Sequence, residues 1–227
     1  MVTIEPRTVE RTWTAEGLPA LTAKVTLPQP AVPADAFARR LRRYYQLQSR
    51  AFLRYCEKFL LPRAAGEIRA ALAGSRPLPC FRAELTYQVT LQDARYLSLY
   101  TQSRETDPAG PALVVRRGDT WDLSTGYPAP LQTFLPAGRG WRKTALDQAA
   151  VELRRREKAG AGRLRADWPR ALRRGFNPQN FYLTPEGVVL FFPMYAVAPA
   201  KAGIVTVTLP RRQGKDPSAG DPGGQGP

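Results

Sequence analysis

Apolar and polar residues alternate without a break from Phe81 to Leu91. Because successive side chains of a strand point to opposite faces of a sheet, this period of two predicts a half-buried β-strand. After a tight turn at Asp93-Ala94 the alternation returns from Arg95 to Ser103, so the two strands are expected to pair antiparallel. Two shorter apolar runs then flank Arg117-Gly118-Asp119, which predicts a further hairpin turn there.

The first part of the chain changes from a period of two to a helical period. Thr3 to Leu27 predicts a hairpin that turns at Glu16-Gly17. Asp35 is a suitable N-cap for a helix in which aromatic residues and leucines recur at spacings of three, four and seven. Pro62 stops or kinks this helix, and Ala64 to Ala73 predicts a short second one.

The last third of the chain shows both patterns again. A helix is expected from Arg142 to Lys158, where alanines and leucines recur at helical spacing. Phe181 to Phe192 predicts a hairpin around a Pro-Glu-Gly turn. Ile204 to Leu209 alternates and predicts another half-buried strand.

The segment between these strands, Pro193 to Gly203, contains two prolines and is expected to be an ordered, partly exposed loop. Tyr195 and Val197 are expected to pack down, and Gly203 to provide a sharp entry into the last strand. Two interpretations of Tyr195 stay open: it holds the loop in place, or it helps to form a partner surface.

These elements predict an α+β fold, an antiparallel sheet with flanking helices. We expect one sheet to include the strands near residues 81–103 and those near 181–209. A small N-terminal module of a hairpin and helices, residues 1–80, would pack on a larger module, residues 81–210. The tail, residues 211–227, has no aromatic residue and is expected to be disordered.

The formal net charge of +15 favours an anionic partner such as nucleic acid, an acidic polymer or an acidic protein. A second explanation stays open, because 28 of the 34 basic residues are arginines, and an excess of Arg, Ala, Gly and Pro is what GC-rich coding produces. We expect weak, salt-sensitive binding to polyanions. The candidate partner-binding residues are Tyr195 and five arginines of two predicted helices: Arg154, Arg155, Arg156, Arg173 and Arg174.

Most catalytic chemistry is excluded by residue type. The absence of histidine removes the commonest general base, the usual Ser and Cys triads and most zinc sites. The chain also has no nucleophile elbow, P-loop or dinucleotide-binding glycine motif. Two carboxylate pairs remain, Glu105 with Asp107 and Asp119 with Asp122, and both lie in predicted loops. We therefore expect no enzyme, and we assign no catalytic residue, cofactor or metal ligand.

Cysteine usage and hydropathy bear on the compartment. Cys56 and Cys80 fit neither a CxxC nor a metal-ligand spacing, so free thiols are expected. The longest uncharged stretch, Gly187 to Ala200, has 14 residues, whereas a membrane helix needs about 20. The first residues lack the apolar segment of a secretory leader. The chain as it stands is expected to be cytoplasmic, or extracytoplasmic if a leader or anchor has been removed.

A motif in the last third resembles a known family. It consists of Asn180-Phe181-Tyr182, Gly187 before an apolar run, and Pro193-x-Tyr195-x-Val197-Ala198-Pro199 followed by Gly203, with Asp122-Leu123-x-Thr125-Gly126 upstream. This pattern resembles the extracytoplasmic domain of RsiV-type anti-sigma factors, a domain of unknown function that also precedes some polysaccharide deacetylases. The resemblance spans residues 15–210. It implies an α+β fold and a role in ligand or protein binding rather than turnover.

We therefore expect a non-catalytic binding or sensory domain that recognises a protein or an acidic polymer and is a monomer. Two alternatives stay open. Charge alone favours a nonspecific nucleic-acid or polyanion binder. A carboxylate-dependent glycan hydrolase would need two carboxylates about 5 to 9.5 Å apart across a cleft, which spacing in the sequence cannot show.

Overall fold

A computed structural model of the chain describes residues 3–31, 35–107, 110–136, 138–160 and 162–212. Within these ranges the chain forms nine strands in two sheets, and four α-helices. The strands are β1 Ile4–Ala15, β2 Leu18–Pro30, β3 Phe81–Gln92, β4 Tyr96–Thr106, β5 Leu113–Asp122, β6 Tyr127–Pro128, β7 Phe181–Thr184, β8 Gly187–Phe192 and β9 Val205–Leu209. The helices are α1 Ala36–Tyr55, α2 Leu61–Ala73, α3 Trp141–Lys158 and α4 Trp168–Gly175.

The large sheet contains β1 to β6 in chain order. The predicted N-terminal hairpin is confirmed, with Glu16 and Gly17 both at positive φ in its turn. All neighbouring strands are antiparallel except β2 and β3, which are parallel. A parallel connection needs a long crossover, and α1 and α2 supply it.

The two crossover helices cover one face of the large sheet. Asp35 caps α1 as expected, because its Oδ1 accepts a hydrogen bond from the Ala38 amide at 2.6 Å. A π-helical turn, Cys56–Leu60, joins α1 to α2, and Pro62 lies in the first turn of α2, where its missing N–H needs no partner. The core under α1 contains Val25, Leu27, Phe37, Leu41, Tyr45, Leu85, Leu97, Leu99 and Trp121.

Strand β5 runs unbroken through Arg117-Gly118-Asp119, so the hairpin turn predicted there is wrong. All ten residues of β5 pair with β4. Gly118 is needed for a different reason: a Cβ at this position would overlap the carbonyl oxygen of Phe181 in β7. Glycine in a strand often marks such a close approach of another backbone, and here it allows β7 to lie against the large sheet.

The small sheet contains β7, β8 and β9, all antiparallel. One face packs on α3 and α4, the other faces the large sheet, and all six residues of β8 are buried. The predicted α+β class is confirmed. The expectation that β7 to β9 share one sheet with β3 and β4 is wrong, because the free edge of β7 meets the face of the large sheet. There the Leu183 amide donates to Ser98 Oγ at 2.8 Å.

The remaining predictions have mixed outcomes. In the loop before β9, Val197 is fully buried and Gly203 has φ +67°, as expected, but Tyr195 is 50% exposed and does not pack down. The two cysteines are free thiols, as predicted. The helices in the described ranges are all too short or too polar to cross a membrane.

The predicted division at residue 81 and the predicted tail stay predictions. Strands β2 and β3, on either side of the division, pair within one sheet. At the start of the tail the Arg212 amide donates to the Phe134 carbonyl at 2.8 Å. Residues 213–227 lie outside the described residues.

Candidate functional site

The three candidate arginines at the end of α3 have different roles. Arg155 and Arg156 both donate to Glu152, at 2.8 to 2.9 Å, and these bonds lower the pKa of Glu152 to about 2. Arg156 also donates to the Thr206 carbonyl at 2.7 Å and so joins α3 to β9. Arg154 is exposed and lies 5.9 Å from the ring of the tryptophan that begins α4. Arg156 therefore connects two elements of the fold, whereas Arg154 and Arg155 lie on the surface.

Tyr195 contacts the segment that leads into α4. Its carbonyl oxygen accepts from Arg165 Nη1 at 3.0 Å, and Arg165 pairs with Asp167 at 2.9 Å. Hydrogen bonding from Arg165, with a smaller contribution from the charge of Arg174, lowers the pKa of Asp167. Arg165 and Asp167 thus link the loop at Tyr195 to Arg174 of α4, and Arg154 at the end of α3 lies beside the start of the same helix. We call Tyr195, Arg165, Arg173 and Arg174 the α4 surface.

A groove that the sequence did not predict lies between the two sheets. Its volume is about 640 Å³, which is within the usual range for ligand sites. Its walls come from α1, β5, the segment 128–132, the start of α3 and the turn before β7. We call it the intersheet groove. Its polar and aromatic lining residues are Tyr44, Arg116, Arg117, Asp119, Gln132, Trp141, Arg142, Gln179 and Asn180.

Asp119 is the most buried charged group of the intersheet groove. Its carboxylate accepts hydrogen bonds from Tyr44 at 2.7 Å and Tyr45 at 3.3 Å, and Arg117 lies 3.4 Å away. Burial raises the pKa of Asp119, and these three partners oppose that shift by stabilising the charged form. Burial, followed by the charge of Asp119, raises the pKa of both tyrosines. The tyrosines therefore act as neutral donors that hold a single carboxylate.

The three arginines of the groove differ in how much freedom they keep. Arg116 donates to Gln102 at 2.7 and 3.1 Å and stacks 4.0 Å from the Tyr100 ring, so its position is fixed. The Arg117 side chain is 62% exposed although it pairs with Asp119. Arg142 lies 5.3 Å from the ring of its neighbour Trp141 and forms no ion pair with a described carboxylate. Arg117 and Arg142 are thus the cations best placed to meet a ligand.

The outer wall of the groove and the small sheet belong to one continuous stretch. This stretch, residues 142–212, matches a family model. The family is described as a protein of unknown function, DUF3298. The DUF3298 segment includes α3 from its second residue, α4 and the whole of the small sheet, so it supplies Arg142 and the turn at residues 178–181 to the groove.

Two solved structures of DUF3298 proteins are similar to the chain over nearly its full length. A protein from Bacteroides fragilis is 14% identical with a TM-score of 0.67, over 92% of this chain and 90% of that one. A protein from Pseudomonas aeruginosa is 14% identical with a TM-score of 0.60, over 92% of this chain and 91% of that one. At this identity the likeness shows a shared fold alone. No curated protein matches the chain, and the resemblance to RsiV-type domains stays a prediction.

The carboxylate pairs singled out in the sequence do not share partners. Asp119 is held by tyrosines of α1, whereas Asp122 accepts from Ser124 in the following turn. Glu105 accepts from the Tyr55 hydroxyl at 3.1 Å, and Asp107 pairs with an arginine of α2. Within the ranges that the structure describes, no cluster of three acidic or cysteine side chains could hold a metal ion.

The groove was not predicted from the sequence because one of its walls, strand β5, was assigned wrongly. The sequence predicts a hairpin turn at Arg117-Gly118-Asp119, whereas these residues lie within β5. The length of β4 contained a usable signal, since a long strand in an antiparallel sheet tends to have a neighbour of similar length. The other wall comes from the DUF3298 segment, and its position against β5 depends on tertiary contacts that no local pattern reports.

Proposed function

We propose that this protein is a non-catalytic binding domain whose intersheet groove holds an extended acidic chain, either a protein segment or a polymer. The observation that supports this proposal is the composition of the groove. Three arginines line it against one carboxylate, and that carboxylate is already held by Tyr44 and Tyr45. Guanidinium groups bind carboxylates and phosphates in a bidentate manner, and the nearby amides of Gln132 and Gln179 add neutral hydrogen-bonding groups.

Binding rather than turnover is favoured by the carboxylates. Hydrolysis of a glycan by acidic residues needs two carboxylates on opposite sides of the bond. Asp119 is the one acidic residue among those that line the groove, and its hydrogen bonds to Tyr44 and Tyr45 occupy it. A glycan hydrolase is therefore not supported by a specific observation at this site.

The distribution of arginines makes nonspecific nucleic-acid binding the second candidate. Arg142 in the groove and Arg154 near the α4 surface are twelve residues apart on α3, or about 18 Å along the helix. The basic residues therefore occupy separate places rather than one stripe along a duplex. Such a distribution favours weak, salt-dependent attraction to polyanions in general.

Titration with defined acidic polymers tests the proposal. The protein is titrated with poly-L-glutamate, polygalacturonate and a random DNA duplex at two salt concentrations, and tryptophan emission is followed because Trp141 lines the groove. The affinity of Arg142→Ala is compared with that of a double variant that carries both Arg173→Ala and Arg174→Ala. Arg69→Ala, an exposed arginine on α2, is the matched control.

We expect Arg142→Ala to weaken binding of one of the two carboxylate polymers about tenfold, equivalent to about 1.4 kcal/mol. Arg69→Ala should leave it unchanged. The two polymers distinguish a polypeptide partner from a polysaccharide partner. Equal losses in all variants, or tighter binding of DNA than of either polymer, would contradict a site in the groove. Shortening of polygalacturonate during the titration would show turnover and refute the non-catalytic proposal.

A further inference from the structure

A second, smaller pocket lies on the other side of α1, between this helix and the hairpin of β1 and β2. Its volume is about 240 Å³, and it shares no lining residue with the intersheet groove. Strand β1 is an edge of the large sheet, and α1 packs on β2, whereas α2 packs on β1 and β2. Helix α1 therefore does not cover the N-terminal half of β1, and the pocket lies between α1 and this uncovered part of the strand.

The pairing of the strands and the period of the helix bring a defined set of residues to this pocket. Arg7 lies opposite Leu27, and Val9 lies opposite Val25, in the β1–β2 register. On α1 the contributing positions are spaced by three or four residues and so lie on one side of the helix. They are Arg42, Tyr45, Gln46, Ser49, Arg50 and Leu53.

The pocket combines an apolar floor with cations that have no acidic partner in the part of the chain that the structure describes. Val25 and Leu27 are almost fully buried, and Arg7, Arg42 and Arg50 stand around them. No aspartate or glutamate is among the lining residues, and neither Arg42 nor Arg50 forms an ion pair with any carboxylate of the described residues.

Arg42 provides the most specific sign of a ligand. Its Nε atom is buried and has no hydrogen-bond partner among the described residues. Buried polar groups in folded proteins are nearly always hydrogen-bonded, and a buried donor of a charged group without an acceptor is costly. An anion in the pocket would supply that acceptor and would also neutralise the excess positive charge.

We propose that this pocket binds a small amphiphilic anion, with a carboxylate or phosphate head at Arg42 and Arg50 and a short apolar chain against Val9, Val25 and Leu27. The small volume excludes a large ligand, and the three arginines select an anionic head over a neutral or cationic one. This site is independent of the intersheet groove, so either proposal can fail without the other.

Calorimetric titration with four eight-carbon compounds tests the site. Octanoate and octyl phosphate carry the two anionic heads, octanol is the neutral control and octylamine is the cationic control. We expect one of the anions to bind saturably with 1:1 stoichiometry, at least tenfold tighter than octanol, and to raise the melting temperature. The tighter of the two anions identifies the head. Octanol binding as tightly as the anions, or no saturable binding of either anion, would overturn the proposal.

Variants of the pocket separate a specific site from general attraction. Arg42→Leu should weaken binding of the preferred anion at least tenfold, while Arg43→Leu, the exposed neighbour on α1, should not. Val9→Trp should block the pocket without removing a charge, which gives a second test if Arg42→Leu folds poorly. Arg142→Ala, which addresses the intersheet groove, should leave octanoate binding unchanged. Equal losses in the two leucine variants would refute the site.

Discussion

The backbone amide of Leu183 in β7 donates a hydrogen bond of 2.8 Å to the hydroxyl oxygen of Ser98 in β4, and both residues are fully buried. The same hydroxyl lies 2.8 Å from Thr120 Oγ1 in β5. A serine hydroxyl has one proton and two lone pairs, so Ser98 can serve both partners at once. One hydroxyl group thus connects two strands of the large sheet to the free edge of the small sheet.

Replacing Ser98 with alanine should weaken the junction of the two sheets. The Leu183 amide would lose its acceptor in a buried place, which costs about 1 to 3 kcal/mol. Urea unfolding measures the loss, and hydrogen exchange should show faster exchange of the Leu183 amide. Ser103→Ala is the control, because Ser103 lies on the same strand and its side chain forms no hydrogen bond with a described residue. Equal unfolding free energies for the two variants would contradict this role of Ser98.

A methyl group at position 118 should be poorly tolerated. Gly118→Ala places a Cβ where the Phe181 carbonyl oxygen lies, so β7 must move away from β5. We expect a loss of about 1 to 3 kcal/mol in the free energy of unfolding, as for other overpacked sites. Gly66→Ala in α2 is the matched change, because a Cβ there meets open space and should stabilise the helix by about 0.5 to 1 kcal/mol. A Gly118 variant as stable as the original protein would show that the contact is not tight.

The strands and helices could largely be predicted, because their signals are local. The alternation from Phe81 to Leu91 and the cap at Asp35 depend on neighbouring residues alone, and both predictions are confirmed. The turn predicted around Gly118 was wrong because the sequence does not distinguish a glycine that forms a turn from one that allows another backbone to approach closely. The separation into two sheets depends on the contact of β7 with the face of the large sheet. The periodicity of apolar residues within a strand does not indicate which surface of another element that strand contacts.

The candidate sites were harder to predict than the elements. Tyr195 was expected to pack down within a partly exposed loop, but its backbone is left-handed and its ring is half exposed. The arginines of α3 were counted as one positive run, yet Arg156 is tied to Glu152 and Thr206. The buried and unpartnered Nε of Arg42 could not be recognised on a helix that carries many arginines. Charge in a sequence is counted by segment, whereas a binding site depends on which charges remain unpaired after folding.

Asp119 should make stability depend on pH in the direction opposite to most carboxylates. Because burial raises its pKa in the folded state, the folded state holds the proton more tightly than the unfolded state, whose pKa is about 3.9. The contribution of Asp119 is therefore greatest below the unfolded pKa and is lost as pH rises through the folded pKa. We expect Asp119→Asn to gain stability relative to the original protein as pH rises from 3 to 7, measured by urea unfolding.

Asp122 provides an opposite control for this experiment. Burial alone would raise the pKa of Asp122, but hydrogen bonds from Ser124 and Thr125 and the charge of Arg95 outweigh this effect and lower the pKa. Its contribution to stability should be present at pH 7 and lost as pH falls through the folded pKa. Asp122→Asn should therefore be more harmful at pH 7 than at pH 3. The same pH trend in both variants would mean that the environment of Asp119 does not disfavour its charge.

Tyr195 has a backbone φ of +66°, in the left-handed region that side chains with a Cβ avoid. This conformation costs roughly 1 to 2 kcal/mol for a residue other than glycine. Since the ring is half exposed, Tyr195→Gly removes little packing and relieves the backbone, so we expect a gain of about 1 kcal/mol in the free energy of unfolding. Glu16→Gly, at φ +51° in the first hairpin, is the matched change and should give a similar gain.

The same variant tests whether Tyr195 belongs to a binding surface. Strain at a residue that glycine would suit better is a reason to look for a function of its side chain. Tyr195 does not line the intersheet groove, so Tyr195→Gly should bind poly-L-glutamate and polygalacturonate as tightly as the original protein does. A loss of affinity together with a gain in stability would instead place the partner on the α4 surface. A loss of stability would show that the ring holds the loop in place and that relief of the backbone is the smaller effect.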